Sequence, residues 1–419
     1  MNEVNPLADA GLIQILGRGS AGKKWSAAAA DSIDALQIIY KVAERCNINC
    51  TYCYYFNMGE RTPLARPNLA SEQVTKELAH WISQGCYELR IPRAKVCFHG
   101  GEPTLMGVEA FGDACRCLRS TIEPVARLSL SIQTNGVMLD GRWIDTFIEH
   151  KVGVGVSIDG PPEANDRFRL DHLGRSTFRK TEDAIRRLVD AQQIGGPRPS
   201  TISVLHHDND YRAIYRYLRG LGVAELNFLL PDRNLDDLEF VASGKAADYG
   251  ACLSDIFLEW LEEDNVGVHI KFIDQMMSHF KRDRTPGQMF RHRKKTNQVV
   301  IARSDGTVAI DDTFIPALEW YRNGPVYSTA RSTLREFLAD PIFCEIESID
   351  NTLPGGCAAC RWRQVCRGGD LENRFSKQRG FDNPSVYCDA YKVLYREVCA
   401  ILVRAGYPPE LIASKFGTI

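Results

Sequence analysis

No stretch of this 419-residue chain comes near the roughly 20 consecutive apolar residues of a membrane-spanning helix. Its first 24 residues lack the charged start, apolar run and small-residue cleavage site of an export signal. Net charge is nearly absent: 51 Lys and Arg against 53 Asp and Glu leave a formal −2. That balance supplies no bulk attraction to nucleic acid or to an anionic membrane. A disorder-prone composition is missing too, because 44% of residues are hydrophobic and 25% charged, an ordinary globular mixture. These absences predict a cytoplasmic protein with neither nucleic-acid nor membrane partners. The length suggests two domains, or one large domain with an appendage. Oligomeric state has no signal in the sequence.

Cysteine, by contrast, is abundant, with 14 residues. In an exported miniprotein they would read as disulfides; in a reducing compartment, clustered cysteines read as metal ligands or catalytic thiols. Three lie within eight residues, at Cys46, Cys50 and Cys53. Four more group at Cys357, Cys360, Cys366 and Cys388. Cys86, Cys97, Cys115, Cys117, Cys252 and Cys399 stand in or beside helix and strand patterns and read as buried structural thiols.

Between Leu36 and Leu230, short apolar runs alternate with amphipathic helical patterns. Strands are expected at 36–43, 95–99, 128–134, 152–158, 201–205 and 225–230. Helices are expected at 71–84, 107–120, 142–150, 176–191 and 210–221, the first capped by Ser71. Six strands alternating with helices predict an α/β fold, a partial (β/α)6 barrel whose site forms at the C-terminal strand ends. The organisation expected is an N-terminal tail or arm (1–33), a core (34–235), a helical bridge (236–298), and a turn-rich, cysteine-bearing C-terminal domain with a closing helix (299–419). Gly17-Arg-Gly-Ser-Ala-Gly-Lys-Lys24 fits G-x-G-x-x-G and nearly fits a phosphate loop. Lys24 stands where that loop needs Ser or Thr, and no acidic residue follows a second strand at the right distance, so a flexible basic segment is the plainer reading.

Cys46-Asn-Ile-Asn-Cys50-Thr-Tyr-Cys53 is C-x3-C-x2-C directly after a strand. Soft thiolates brought together by a short loop suit iron. Three of them leave one iron of a four-iron cluster open, whereas structural zinc wants four closed ligands. This motif resembles the signature of the radical SAM superfamily. The resemblance implies that the open iron binds S-adenosylmethionine (SAM), that one electron splits its sulfonium, and that the resulting 5′-deoxyadenosyl radical abstracts a substrate hydrogen. Tyr52 matches the aromatic position against the adenosine. His99-Gly100-Gly101-Glu102-Pro103-Thr104 resembles the family's GGEP loop, which meets the SAM amino group. Gln133-Thr-Asn135-Gly and Ser157-Ile-Asp159-Gly-Pro follow the third and fourth strands, where relatives meet the methionyl carboxylate and the ribose. Arg169 is a candidate carboxylate partner.

Cys357-Ala-Ala-Cys360-Arg-Trp-Arg-Gln-Val-Cys366-Arg-Gly-Gly, with Cys388 later, suits a zinc ribbon or an iron–sulfur cluster by spacing alone. After a radical SAM-like domain it resembles the SPASM extension of peptide-modifying relatives, which implies one auxiliary 4Fe–4S cluster on these four cysteines. A full SPASM domain carries seven cysteines and two auxiliary clusters. Here Asp305-Gly-Thr-Val-Ala-Ile leads to Asp311, and Cys366-Arg-Gly-Gly to Asp370, where cysteines would stand; Cys344 alone cannot hold a cluster. This reduced pattern, with Gly380-Phe-Asp-Asn-Pro-Ser-Val-Tyr-Cys388, looks like the cyclophane-forming peptide maturases of the XyeB and FxsB groups. It implies a ribosomally made precursor peptide as substrate, a C–C bond from a β-carbon to a nearby aromatic ring, and a flavodoxin or ferredoxin as reductant.

Loss of a ring proton needs a base, and Asp311, Asp312 and Asp370 are the candidates; Asp residues in turns equally satisfy local backbone groups. His206 and His207, at a strand end, read as surface or capping residues. Other readings stay open: thioether or ether crosslinking, epimerisation, oxidation of Ser or Cys to formylglycine as in sulfatase maturases, or a non-catalytic zinc-ribbon binding protein.

Overall fold

The computed structural model describes residues 33–57, 62–280, 299–315 and 317–416. The expected N-terminal arm up to residue 32, with its glycine-rich loop, and the last part of the expected bridge, 281–298, lie outside them. The core is one ten-stranded sheet in the order β10-β9-β8-β1-β2-β3-β4-β5-β6-β7. Strands β1 (Leu36–Ala43), β2 (Arg93–Gly100), β3 (Arg127–Thr134), β4 (Val152–Ser157), β5 (Ser200–Val204) and β6 (Glu225–Leu229) are parallel neighbours in chain order. These are the six strands that the sequence periodicity predicts. The sheet ends on β10 and β7 and does not close, so "partial barrel" describes it.

Helices follow the strands as expected: α1 (Glu72–Glu88), α2 (Val108–Ile122), α3 (Gly141–Glu149), α4 (Phe178–Ala191) and α5 (Tyr211–Gly220). Three start on side-chain caps. Ser71 accepts from the Val74 amide at 3.2 Å, Asp140 from Trp143 at 3.3 Å, and Asp210 from Ala213 at 3.0 Å, each satisfying an amide the helix leaves unpaired. Behind β2 the layer packs on aromatic rings. Phe98 lies 4.6 Å from Phe111, which lies 5.3 Å from Trp143 and 5.7 Å from Phe147.

Beyond Leu229 the structure departs from the expected picture. The segment expected to be turn-rich begins with β8 (Val299–Arg303), which pairs in parallel with β1 along Gln37–Lys41. An antiparallel β9 (Thr307–Ala309) and β10 (Tyr327–Ser328) then extend the same sheet. The two-residue β7 (His269–Ile270) adds to β6 from within the expected helical bridge. Val299-Val-Ile-Ala is an apolar run without the following amphipathic helix that marks the predicted strands. Its partner lies some 260 residues earlier in the chain, a pairing no local pattern encodes.

The bridge helix α6 (Ala246–Glu263) packs on the closing helix α7 (Cys388–Arg404) at close range. A Cβ on Gly250 would sit 2.6 Å from the Ala390 carbonyl oxygen. Phe240, Tyr249 and Tyr387 pack together below this crossing, and the Tyr387 hydroxyl donates to the Pro231 carbonyl at 2.8 Å. The C-terminal region is thereby tied to the chain just after β6. Among the described residues no helix is long and apolar enough to cross a membrane.

Candidate functional site

The motif residues gather where β1 to β4 end. The Ala43 and Arg45 carbonyls accept from the Gly101 and Glu102 amides at 2.7 and 2.8 Å, so the Gly-Gly-Glu loop runs flush along the chain entering Cys46. That contact explains the glycines. A Cβ on Gly100 would lie 2.1 Å from the Ala43 oxygen, and one on Gly101 2.1 Å from the Arg45 oxygen. Gly100 also holds φ +131°, which side-chain-bearing residues avoid. The cysteine loop is pinned on its other side, where Asn49 and Thr51 amides donate to the Leu170 and Phe168 carbonyls at 2.7 and 3.1 Å.

Cys50 is buried and Cys46 and Cys53 are half-buried. Burial pushes all three thiols up, Cys46 to about 12, with Glu102 and the neighbouring thiols adding to it. Such thiols become thiolates when a metal supplies the compensating charge. The donor set fits an iron–sulfur cluster on three cysteines.

Around it, Glu102 is 1% exposed and acts as a knot. Its Oε1 accepts from the Thr104 amide (3.0 Å), Thr104 hydroxyl (2.6 Å) and Thr134 hydroxyl (2.6 Å), and its Oε2 from the Asn135 amide (2.8 Å). It ties the ends of β2 and β3 together, a role the sequence does not foretell. Pro103 starts a short 3-10 turn at Pro103–Met106, directly after Glu102. The Asn135 amide nitrogen reaches the Asn47 side chain at 2.7 Å and the Cys46 sulfur at 3.8 Å. Ser157 accepts from Gln133 at 2.9 Å. Tyr52 donates to Asp159 at 2.7 Å and accepts from Arg169 at 2.9 Å, while Asp159 also accepts the Val204 amide at 3.0 Å. Thus Tyr52, Asp159 and Arg169 form one buried unit beside Cys50. Of the residues expected to meet SAM, Gly101, Glu102, Asn135, Asp159 and Arg169 bond to the cysteine loop or to the chain entering it, while Ser157 lies at the end of β4 against Gln133.

The second group converges as well. Cys357, Cys360, Cys366 and Cys388 line one small cavity of about 20 Å3, together with Trp362 and Tyr391. Four thiols brought together in this way fit a closed metal site, an iron–sulfur cluster or a zinc ion. The thiols come from a 3-10 turn (Gly355–Cys357), the turn after it, a short helix (Arg363–Cys366) and the start of α7. Burial pushes Cys366 up to about 12.

Of the three candidate bases, Asp312 stands apart. It is 5% exposed, and its Oδ2 pairs with Lys41 Nζ at 2.8 Å. The Tyr54 hydroxyl accepts from Lys41 at 2.7 Å and lies 3.4 Å from the same Oδ2. Asp311 is used locally, accepting from the Thr313 amide at 3.2 Å and hydroxyl at 3.0 Å, as turn aspartates do. Asp370 lies exposed, close enough to raise Glu372. Burial, then Asp370, Asp311 and Asp232, holds Glu372 above the usual carboxylate range. Asp232, just past β6, is pushed up to about 6 by surrounding protein and then by Asp312 and Asp311, although it keeps solvent access. Asp232, Glu372, Tyr54 and Lys41 are the members the sequence reading misses. The available signal is Lys41, a lysine inside the apolar strand Leu36-Gln-Ile-Ile-Tyr-Lys-Val-Ala.

A carboxyl whose folded value lies above its unfolded one binds more protons in the fold, so its contribution to stability declines as pH rises from about 4 through about 6. Asp232→Asn removes that slope. Its melting midpoint should match the parent at about pH 4 and exceed it by about pH 7, as a thermal series across that range would register.

His206, His207 and Asp208, past β5, bring three metal-capable atoms within 4.8 Å of one another. Arg167 claims Asp208 at 3.2 Å and the His206 ring lies tilted against Phe168 with centroids 5.0 Å apart, so the surface reading stands beside a ligand one.

Residues 40–218 match the family model of the Radical SAM superfamily. Among curated relatives, the cysteine-type anaerobic sulfatase-maturating enzyme of Clostridium perfringens is 25% identical over 366 residues, covering 85% of this chain and 94% of that one. The serine-type enzyme of Bacteroides thetaiotaomicron is 26% identical over 384 residues, covering 86% and 88%. Native anSMEcpe with bound AdoMet overlays with a TM-score of 0.72 at 22% identity, covering 88% and 98%. Streptococcus suis SuiB bound to precursor peptide SuiA overlays with a TM-score of 0.58 at 12% identity, covering 92% and 82%. The two structures share the fold.

Proposed function

Because this chain carries a radical SAM domain, we propose that it is a maturase that oxidises a ribosomally made precursor peptide, joining a β-carbon to a nearby aromatic ring. Cys46, Cys50 and Cys53 would hold a 4Fe–4S cluster with one open iron. Tyr52, Gly100, Gly101, Glu102, Pro103, Asn135, Ser157, Asp159 and Arg169 would surround SAM. Cys357, Cys360, Cys366 and Cys388 would hold an auxiliary 4Fe–4S cluster. When bound, these groups supply a carbon radical that removes a hydrogen atom and an acceptor for one further electron. Arg169 places a guanidinium, paired through Tyr52 to Asp159, near Cys50, where a carboxylate can dock. Asp312 takes the ring proton on Oδ1, the oxygen that accepts no hydrogen bond among the described residues. The reductant would be a flavodoxin or ferredoxin. Cysteines clustered as metal ligands suit a reducing, cytoplasmic setting.

The observation that carries this reading is the buried Asp312–Lys41 pair among carboxylates, one residue past Asp311, the position where the resemblance would have a cluster cysteine. Formylglycine formation is the second reading, favoured by the sulfatase-maturating relatives. Co-expression with a precursor peptide separates them. A crosslink removes about two hydrogens and blocks fragmentation between the joined residues, whereas formylglycine leaves normal fragmentation and an aldehyde that hydrazide reagents capture. An unchanged peptide mass despite SAM cleavage would withdraw both readings in favour of epimerisation or another substrate. Asp312→Asn should still cleave SAM but modify peptide on the order of a hundredfold more slowly; retained modification would remove Asp312 as the base.

A further inference from the structure

We infer that Lys41 is the positioning residue for Asp312: it occupies Oδ2 and thereby presents Oδ1 to the substrate. The inference rests on Asp312 being the base. Lys41 has no solvent exposure, and a bare ammonium there would be costly. Its charge is met on every side: by Asp312 at 2.8 Å, by the Tyr54 oxygen at 2.7 Å, and by the Tyr55 ring face at 4.3 Å. Tyr55 is itself anchored by its hydroxyl to buried Glu44 at 2.5 Å.

The backbone beneath is equally fixed. Lys41 pairs with His99 of β2 and with Arg303 of β8, so β1 is held on both edges at that residue. The same strand runs directly into the Cys46 loop. Asp312 stands on the loop after β9, in the C-terminal region, and Lys41 is its ion-pair partner across the boundary between the two regions. The base is therefore registered to the strand that carries the cysteine loop, through one ammonium in a rigid socket. Both Lys41 and Tyr54 approach Oδ2, which leaves the other oxygen of Asp312 without a hydrogen bond among the described residues.

The test compares Lys41→Met, Asp312→Asn and the double variant for 5′-deoxyadenosine formed and peptide modified. Lys41→Met should cleave SAM while modifying at least tenfold less peptide per cleavage, and Lys41→Arg should recover part of that coupling. The double variant should be no worse than Asp312→Asn alone, since both act through one carboxylate. Without added iron or SAM, each single variant should lower the melting midpoint and the double should recover most of it, which checks the pair independently of turnover. If Lys41→Met fails to fold, the double variant, which leaves no orphaned charge, carries the comparison. Normal coupling in Lys41→Met beside an uncoupled Asp312→Asn would overturn this inference alone. Normal coupling in both would overturn the base itself. A double variant with clearly lower coupling than Asp312→Asn would show that Lys41 acts elsewhere.

Discussion

Replacing Cys50 with alanine should bring 5′-deoxyadenosine formation below detection and remove about four irons per chain. The loop holding Cys50 supplies three thiols in eight residues, fastened by amides to the Leu170 and Phe168 carbonyls and by the Gly-Gly-Glu edge to Ala43 and Arg45. Nothing in that fastening depends on the sulfur, so the variant should fold. What it loses is the third thiolate of a set with no spare. Cys86 makes the proper control: it is 1% exposed on α1 in apolar packing, and its replacement should leave iron and SAM cleavage intact. SAM cleavage that survived Cys50→Ala would overturn the superfamily chemistry for this chain.

Cys357→Ala should likewise remove about four irons, yet leave SAM cleavage in place. The four cysteines around the shared cavity arise from separate elements, and their loops are held by backbone contacts, such as the Ser385 amide to the Gly368 carbonyl at 2.7 Å. The first cysteine loop shares none of these contacts. Radical generation and the later electron transfer should therefore come apart: SAM consumed, peptide unmodified. Unchanged iron in the variant would mean that the second site holds zinc or nothing. Iron lost from both sites at once would mean that the C-terminal region is needed to fold the first.

What the sequence reveals and conceals follows from how local each feature is. The strands β1 to β6 are legible because each is a short apolar run beside an amphipathic helix. Ser71 is legible as a cap because capping is a contact between residues three apart. The cysteine loops carry their chemistry in their spacing. The strand β8 is not legible, because Val299–Arg303 becomes a strand only against β1. Glu102 is expected at a ligand and is found tying Thr104, Thr134 and Asn135, a role that depends on two strand ends meeting. Lys41 looks like an anomaly in an apolar strand until Asp312 arrives from the other end of the chain. Asp311, Asp312 and Asp370 look alike in sequence; the fold makes one a buried ion-pair partner, one a turn former and one an exposed neighbour of Glu372.

The pairing of β8 with β1 also bears on how the protein is made. Strand β1 is complete by residue 43, but its second neighbour is synthesised only at residues 299–303. Until then β1 is an open edge, a row of unpaired amides and carbonyls that invites association with other chains. Such long-range pairing slows folding and lengthens that exposure. The ribosome must finish nearly three-quarters of the chain before the strand bearing the cysteine loop is enclosed. A truncated chain ending after β6 would keep every residue of the SAM motif and still carry this bare edge, and so should aggregate where the full chain folds.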